Sequence, residues 1–124
     1  MHSVVAQAAG VTPVSVLGLL VGFTLVLSLT AHLAARNVLG DVPIRNAVLV
    51  GPAPAAVSVV VAALELPSIP GLVAALVLDG ALFSYVYDQP ARTAAYITLI
   101  HFTVTVILGV IVFGLLALIS SAPT

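Results

Sequence analysis

Residues 70–118 read PGLVAALVLDGALFSYVY (70–87), DQPAR (88–92) and TAAYITLIHFTVTVILGVIVFGLLAL (93–118), two apolar runs around a short polar hinge. Each run carries one ionisable residue well inside it, Asp79 in the first and His101 in the second, and each lies eleven positions from Pro90. Folded as antiparallel helices, the runs bring carboxyl and imidazole to the same height, roughly 12–13 Å from the hinge end at 1.5 Å per residue. Runs of about 20 apolar residues are what a hydrocarbon core demands. Lipid leaves unpaired backbone groups without partners, so such runs are helices or the strands of a closed barrel. Barrel strands alternate polar and apolar with period two; these runs do not. They read as membrane helices.

The whole chain agrees. Its 124 residues are 62% hydrophobic and 6% charged, against about 25% charged in soluble domains. Cysteine is absent, which excludes disulfides and thiolate metal sites. The only basic side chains other than histidine are three arginines, so there is no basic patch for nucleic acid. There is no HExxH, phosphate-binding glycine loop, Ser-His-Asp spacing or nucleophile elbow. The expected protein has no enzymatic activity, metal or cofactor. The start, Met1-His2-Ser3-Val4, lacks the basic region of a secretory signal, and residues 1–11 read as a short external tail.

Four spans are expected within a single transmembrane domain, 1–124, at about 13–35, 43–65, 69–87 and 93–119. Thr12-Pro13 supplies an N-cap and a first-turn proline. Gly40 suits a turn, with Asp41 positioned to cap a helix that takes Pro43 in its first turn. Gly51-Pro52-Ala53-Pro54 interrupts the second span, because each proline removes a helical hydrogen bond. Ser68 reads as the N-cap of the third span. Connections this short make sequential antiparallel neighbours. Arg36 and Arg45 fall in the first connection and Arg92 in the third, so the positive-inside rule makes those connections cytoplasmic and both termini extracytoplasmic. Tyr85, Tyr87 and Tyr96 cluster at the same boundary.

Helical wheels at 100° per residue gather small residues onto one face of each span. Gly18 and Gly22 form a GxxxG in the first, Gly51 and Ser58 share a sector of the second with Ala47, Ala62 and Glu65, and Gly71 aligns with Ala75 and Asp79 in the third. Gly109 joins Thr98, His101 and Thr105 in the fourth. Such faces permit close helix approach in lipid, and the expectation is an all-α, antiparallel four-helix transmembrane bundle.

Asp79 and His101 carry two readings. In one they form a buried pair that binds or relays a proton or cation, with Thr98 and Thr105 on the same face. In the other they make a structural interhelical hydrogen bond, Asp79 neutral and donating to His101, Thr98 or Thr105. An ionised aspartate at mid-membrane costs about 2.5–3.5 kcal/mol, so the carboxyl is protonated, paired or hydrated in either case. His32 reads as an interfacial side chain, with bis-His haem ligation alongside His101 as a further alternative. Asp41 and Glu65 read as solvated charges or caps, and Asp88 and Arg92 as an exposed pair of negligible energy across the hinge.

The stretch Arg36-Asn37-Val38-Leu39-Gly40-Asp41-Val42-Pro43, with Ala47-Val48-Leu49-Val50-Gly51-Pro52 and His101-Phe102-Thr103-Val104-Thr105, resembles small haloarchaeal four-span membrane proteins of unknown function. The resemblance implies an archaeal source, with which the absence of lysine is consistent, and implies no activity. Size and span number are also similar to small multidrug exporters, but their membrane-embedded glutamate has no counterpart among Thr24, Ser28 and His32. The Asn- and Phe-rich pore pattern of small fluoride channels is missing as well. The expected role is therefore that of a structural or accessory subunit, or a homo-oligomer, in the cell membrane. The alternative is a small proton- or cation-coupled transporter or channel using Asp79 and His101. The expected partners are the lipid bilayer and further copies or a larger membrane complex, with no nucleic acid.

Overall fold

The computed structural model describes residues 12–122. Among the described residues, five helices make four long apolar segments: α1 (Pro13–Leu39), α2 (Ile44–Val50) with α3 (Pro52–Ala63), α4 (Ser68–Val86) and α5 (Ala91–Ser121). All four segments are long and apolar enough to cross a membrane. The external tail expected at residues 1–11 lies outside the described residues.

Local chemistry sets most of the boundaries. At the start of α1 the Ser15 amide donates to the Thr12 hydroxyl at 3.0 Å, and the Thr12 amide donates back to Ser15 Oγ at 3.0 Å. This reciprocal cap satisfies two donors the helix would leave orphaned. The helix runs on to Leu39, four residues past the expected end, and takes Arg36 into its last turn. It stops at Gly40, whose φ of +84° is reached at little cost only without a Cβ. The caps expected of Asp41 and Ser68 are not made. Proline occupies both N-cap positions, Pro43 and Pro67, and Ser68 is already the first helical residue. Proline's fixed φ starts a helix, and its missing N–H costs nothing there.

The interruption at Gly51-Pro52 is present, dividing the second segment into α2 and α3. Gly51 nevertheless keeps helical angles (φ −56°, ψ −37°), and its amide bonds Ala47 O at 2.9 Å. α3 and α4 end alike. The amide of Leu66 reaches Val61 O and that of Gln89 reaches Ser84 O, both at 3.0 Å. Glu65 and Asp88 take the left-handed position between them, each at φ 52°. These are Schellman endings with an acidic residue where glycine is usual, each followed by a proline. The pair expected between Asp88 and Arg92 is not formed among the described residues; both side chains are exposed, where such a contact gains next to nothing.

The segments close a ring, in which the first and the third each pack against both the second and the fourth. The core is gathered at the end that carries the arginine connections. It consists of Ala31, Ala34 and Ala35 of α1, Ala47 and Val50 of α2, Phe83 and Tyr87 at the end of α4, and Ala94 and Ile97 of α5. Beyond His101 no residue of α5 is buried. The bundle is thus tight at one end and open at the other, with large apolar side chains such as Val110, Phe113 and Leu118 facing outward.

The small-residue faces divide accordingly. Gly51 is in closest contact, since a Cβ there would stand 2.7 Å from Ser28 N and 2.9 Å from Ser28 Cα. Gly71 sits against Val61, and Ser58 bonds Pro54 O of its own helix at 2.9 Å. Gly18, Gly22 and Gly109 have nothing within 4 Å of a Cβ position. The expectation that these three seat neighbouring helices of the same chain is corrected. On α1 the buried face is formed by Ser28, Thr30, Ala31, Ala34 and Ala35. At 100° per residue it points roughly opposite to Gly18 and Gly22.

Candidate functional site: a buried aspartate and histidine

Asp79 comes from the middle of α4 and His101 from the middle of α5, each 3% exposed. Equal separation from Pro90 brings them level, and His101 Nδ1 meets Asp79 Oδ2. The edge of one ring faces the other where Phe83 packs on His101 (centroids 5.6 Å apart, planes at 89°), and Tyr87 lies against Phe83 in turn. This fixes the imidazole from the side of the core.

The opposite ring nitrogen is met by α1. His101 Nε2 lies 2.8 Å from Thr30 Oγ1 and 3.1 Å from Leu27 O. Thr30 spends its own hydrogen on Val26 O at 3.1 Å or Leu27 O at 3.2 Å, and accepts from Thr105 Oγ1 at 3.1 Å. Nε2 therefore faces only acceptors, which assigns a hydrogen to it. One further proton lies between Nδ1 and Oδ2, on the carboxyl or on the ring. Either placement leaves the pair neutral in sum, which is how two ionisable groups sit among apolar side chains without an uncompensated charge. The cluster ties together three of the four segments.

Of the remaining candidates, Thr98 is buried but donates to Ala94 O of its own helix at 2.9 Å. It stands beside Gly80 rather than bonding Asp79. Thr105 joins the cluster through Thr30, not through the carboxyl. His32 is half-buried with an unpartnered Nδ1. Haem ligation through His101 is not supported, because both its ring nitrogens are engaged within the fold. Among the described residues no three metal-ligating side chains come together.

Thr30 and the Leu27 carbonyl are the members that reading the sequence missed. The face read for α1 rested on Gly18 and Gly22. The better signal is the closely spaced small set Thr30, Ala31, Ala34 and Ala35, which marks a face fit for close packing.

Among the described residues, Asp79 Oδ1 is the one side-chain polar atom of Asp79, His101, Thr30 and Thr105 without a hydrogen-bond partner. Asp79 and His101 line a cavity of about 160 Å³ together with Leu27 of α1, Pro54 and Ser58 of α3, and Thr105 of α5. A wider, apolar cavity of about 360 Å³ shares Leu27, Ser58 and Thr105 with it and reaches Gly109 and Phe113 toward the open end.

A model described as a family of unknown function, DUF7473, matches residues 10–123. The chain belongs to that family. No curated protein and no solved structure matches it. Membership therefore assigns no chemistry to Asp79 or His101, and the geometry above is what bears on their role.

Proposed function

We propose that this chain is a multi-pass protein of the cell membrane without enzymatic activity, serving as a structural or accessory subunit or as a homo-oligomer. The observation that carries this reading is the closure of the Asp79–His101–Thr30 cluster. All but one of the cluster's hydrogen-bonding atoms are used inside the fold, between three helices. The outward apolar side chains of α5 suit lipid or a further copy. Arg36, Arg45 and Arg92 are exposed at one end of the bundle, which supports cytoplasmic first and third connections and extracytoplasmic termini. The resemblance to haloarchaeal membrane proteins supports an archaeal source.

A second reading is favoured by the exception. The unpaired Oδ1 belongs to a residue that lines a cavity, which supports a small proton- or cation-coupled transporter or channel centred on Asp79 and His101. Reconstitution into vesicles separates the two. The structural reading expects Asp79→Asn to fold and to leave proton and cation flux at the level of the wild type. Flux in the wild type that this variant abolishes would establish the second reading instead. Native mass spectrometry in detergent would report whether the working unit is one chain or several.

A further inference from the structure

The polar atoms lining the cavity beside Asp79 share one property: none has a hydrogen left to give. Ser58 donates to Pro54 O at 2.9 Å and Thr105 to Thr30 Oγ1 at 3.1 Å. The ring hydrogens of His101 are directed at Thr30 and Asp79. Asp79 Oδ1 is an acceptor wherever the shared proton resides. An aspartate side chain 5% exposed, with an unsatisfied oxygen in a cavity whose only polar atoms are acceptors, is a site for a donor or a positive charge. The volume of about 160 Å³ exceeds the share of a single water, about 30 Å³, so an ion with part of its hydration shell fits.

We propose that this cavity binds a small monovalent cation, an alkali-metal ion or ammonium, at Asp79 Oδ1 in exchange for the proton shared by Asp79 and His101. The inference rests on the second reading above, that the pair handles ions. Before binding, the pair holds one proton and no net charge. The cation arrives with one positive charge, the proton departs with one through the open end, and aspartate, neutral histidine and cation again sum to zero. Loss of that proton leaves Nδ1 or Nε2 without its hydrogen; rotation of the Thr30 hydroxyl from Val26 O to Nε2 accommodates the second case. An electroneutral exchange avoids leaving a charge in an apolar interior. Among the described residues no other ionisable side chain lines the cavity. The pair faces Leu27 and Thr30 of α1, Pro54 and Ser58 of α3, Phe83 of α4 and Thr105 of α5, and the rest of the cavity wall is apolar, from Leu72, Ala75 and Leu76 of α4 and Phe102 and Val106 of α5.

The test is proton release. Purified full-length protein in detergent, weakly buffered with a pH-indicator dye, is titrated with sodium, potassium and ammonium chloride. N-methylglucamine chloride serves as the bulky control. The expected result is saturable release of one proton per chain with at least one small cation and none with the control. The half-saturating concentration should fall about tenfold per pH unit, as a one-proton exchange requires. Asp79→Asn should abolish the release while melting as the wild type does, since its amide still donates to Nδ1. Ser58→Ala should raise the half-saturating concentration several-fold. Should Asp79→Asn fail to fold, the pH dependence of the wild type decides alone. No release with any of the three cations, or equal release with N-methylglucamine, would mean a water-filled cavity only and would overturn the proposal. Release without flux in vesicles keeps the site and removes transport.

Discussion

Replacing Gly51 by alanine probes the tightest helix contact in the bundle. Gly51 has ordinary helical angles, so its backbone does not require glycine; the space beside it does. A Cβ would lie 2.7 Å from Ser28 N and 2.9 Å from Ser28 Cα, whereas ordinary contact begins near 3.4 Å. The obstacle is backbone and cannot rotate away, so α1 and the second segment must part by about 0.7 Å, the difference between those distances. That movement loosens the alanine seam of Ala31, Ala34 and Ala35 against Ala47 and Val50, all fully buried. Overpacking of this kind costs about 1–3 kcal/mol. Alanine's better helix propensity offsets up to about 1 kcal/mol, leaving a net loss of about 1–2 kcal/mol. Gly18→Ala is the matched control: with nothing within 4 Å it should be neutral or stabilising by up to about 1 kcal/mol. Both variants are measured by reversible unfolding in mixed micelles, with thermal melting as a second readout. If Gly51→Ala is as stable as the wild type, or Gly18→Ala is the more harmful of the two, the assigned packing faces of α1 are wrong.

Other expectations concern the cluster and the helix ends. Thr30→Val removes the acceptor of Thr105 and the nearer of the two acceptors of His101 Nε2, leaving Nε2 only Leu27 O at 3.1 Å. It should cost about 1–3 kcal/mol, with Thr30→Ser restoring most of the loss; a stable valine variant would show the contact to be idle. Asp79→Leu leaves Nδ1 without a partner and should destabilise by a similar amount, whereas Asp79→Asn should be nearly neutral in a melting experiment. Equal damage from both would point to an ionised carboxylate that the fold requires. Glu65→Gly and Asp88→Gly relieve left-handed backbone at φ 52°. Each should stabilise by up to about 1 kcal/mol, and a loss of stability in either would show the acidic side chain to be engaged in a contact of its own.

Much of the architecture was legible in the sequence because it depends on neighbours along the chain. The number of helical segments follows from apolar runs of membrane-spanning length separated by short polar or Gly/Pro-containing breaks. The cap at Thr12, the stop at Gly40 and the break at Gly51-Pro52 follow from local backbone chemistry. Equal spacing from Pro90 sufficed to set Asp79 level with His101, because a tight hinge between two helices leaves little freedom of register. Which side of α1 turns inward is another matter. A GxxxG and a run of alanines are equally suited to close approach, and only the mutual rotation of the helices selects Ala31, Ala34 and Ala35 over Gly18 and Gly22. The same rotation brings Thr30, 71 residues away in the chain, onto His101. It also leaves one oxygen of Asp79 unpaired beside a cavity. Helix formation is decided residue by residue, whereas the choice of faces is a property of all four segments packing at once.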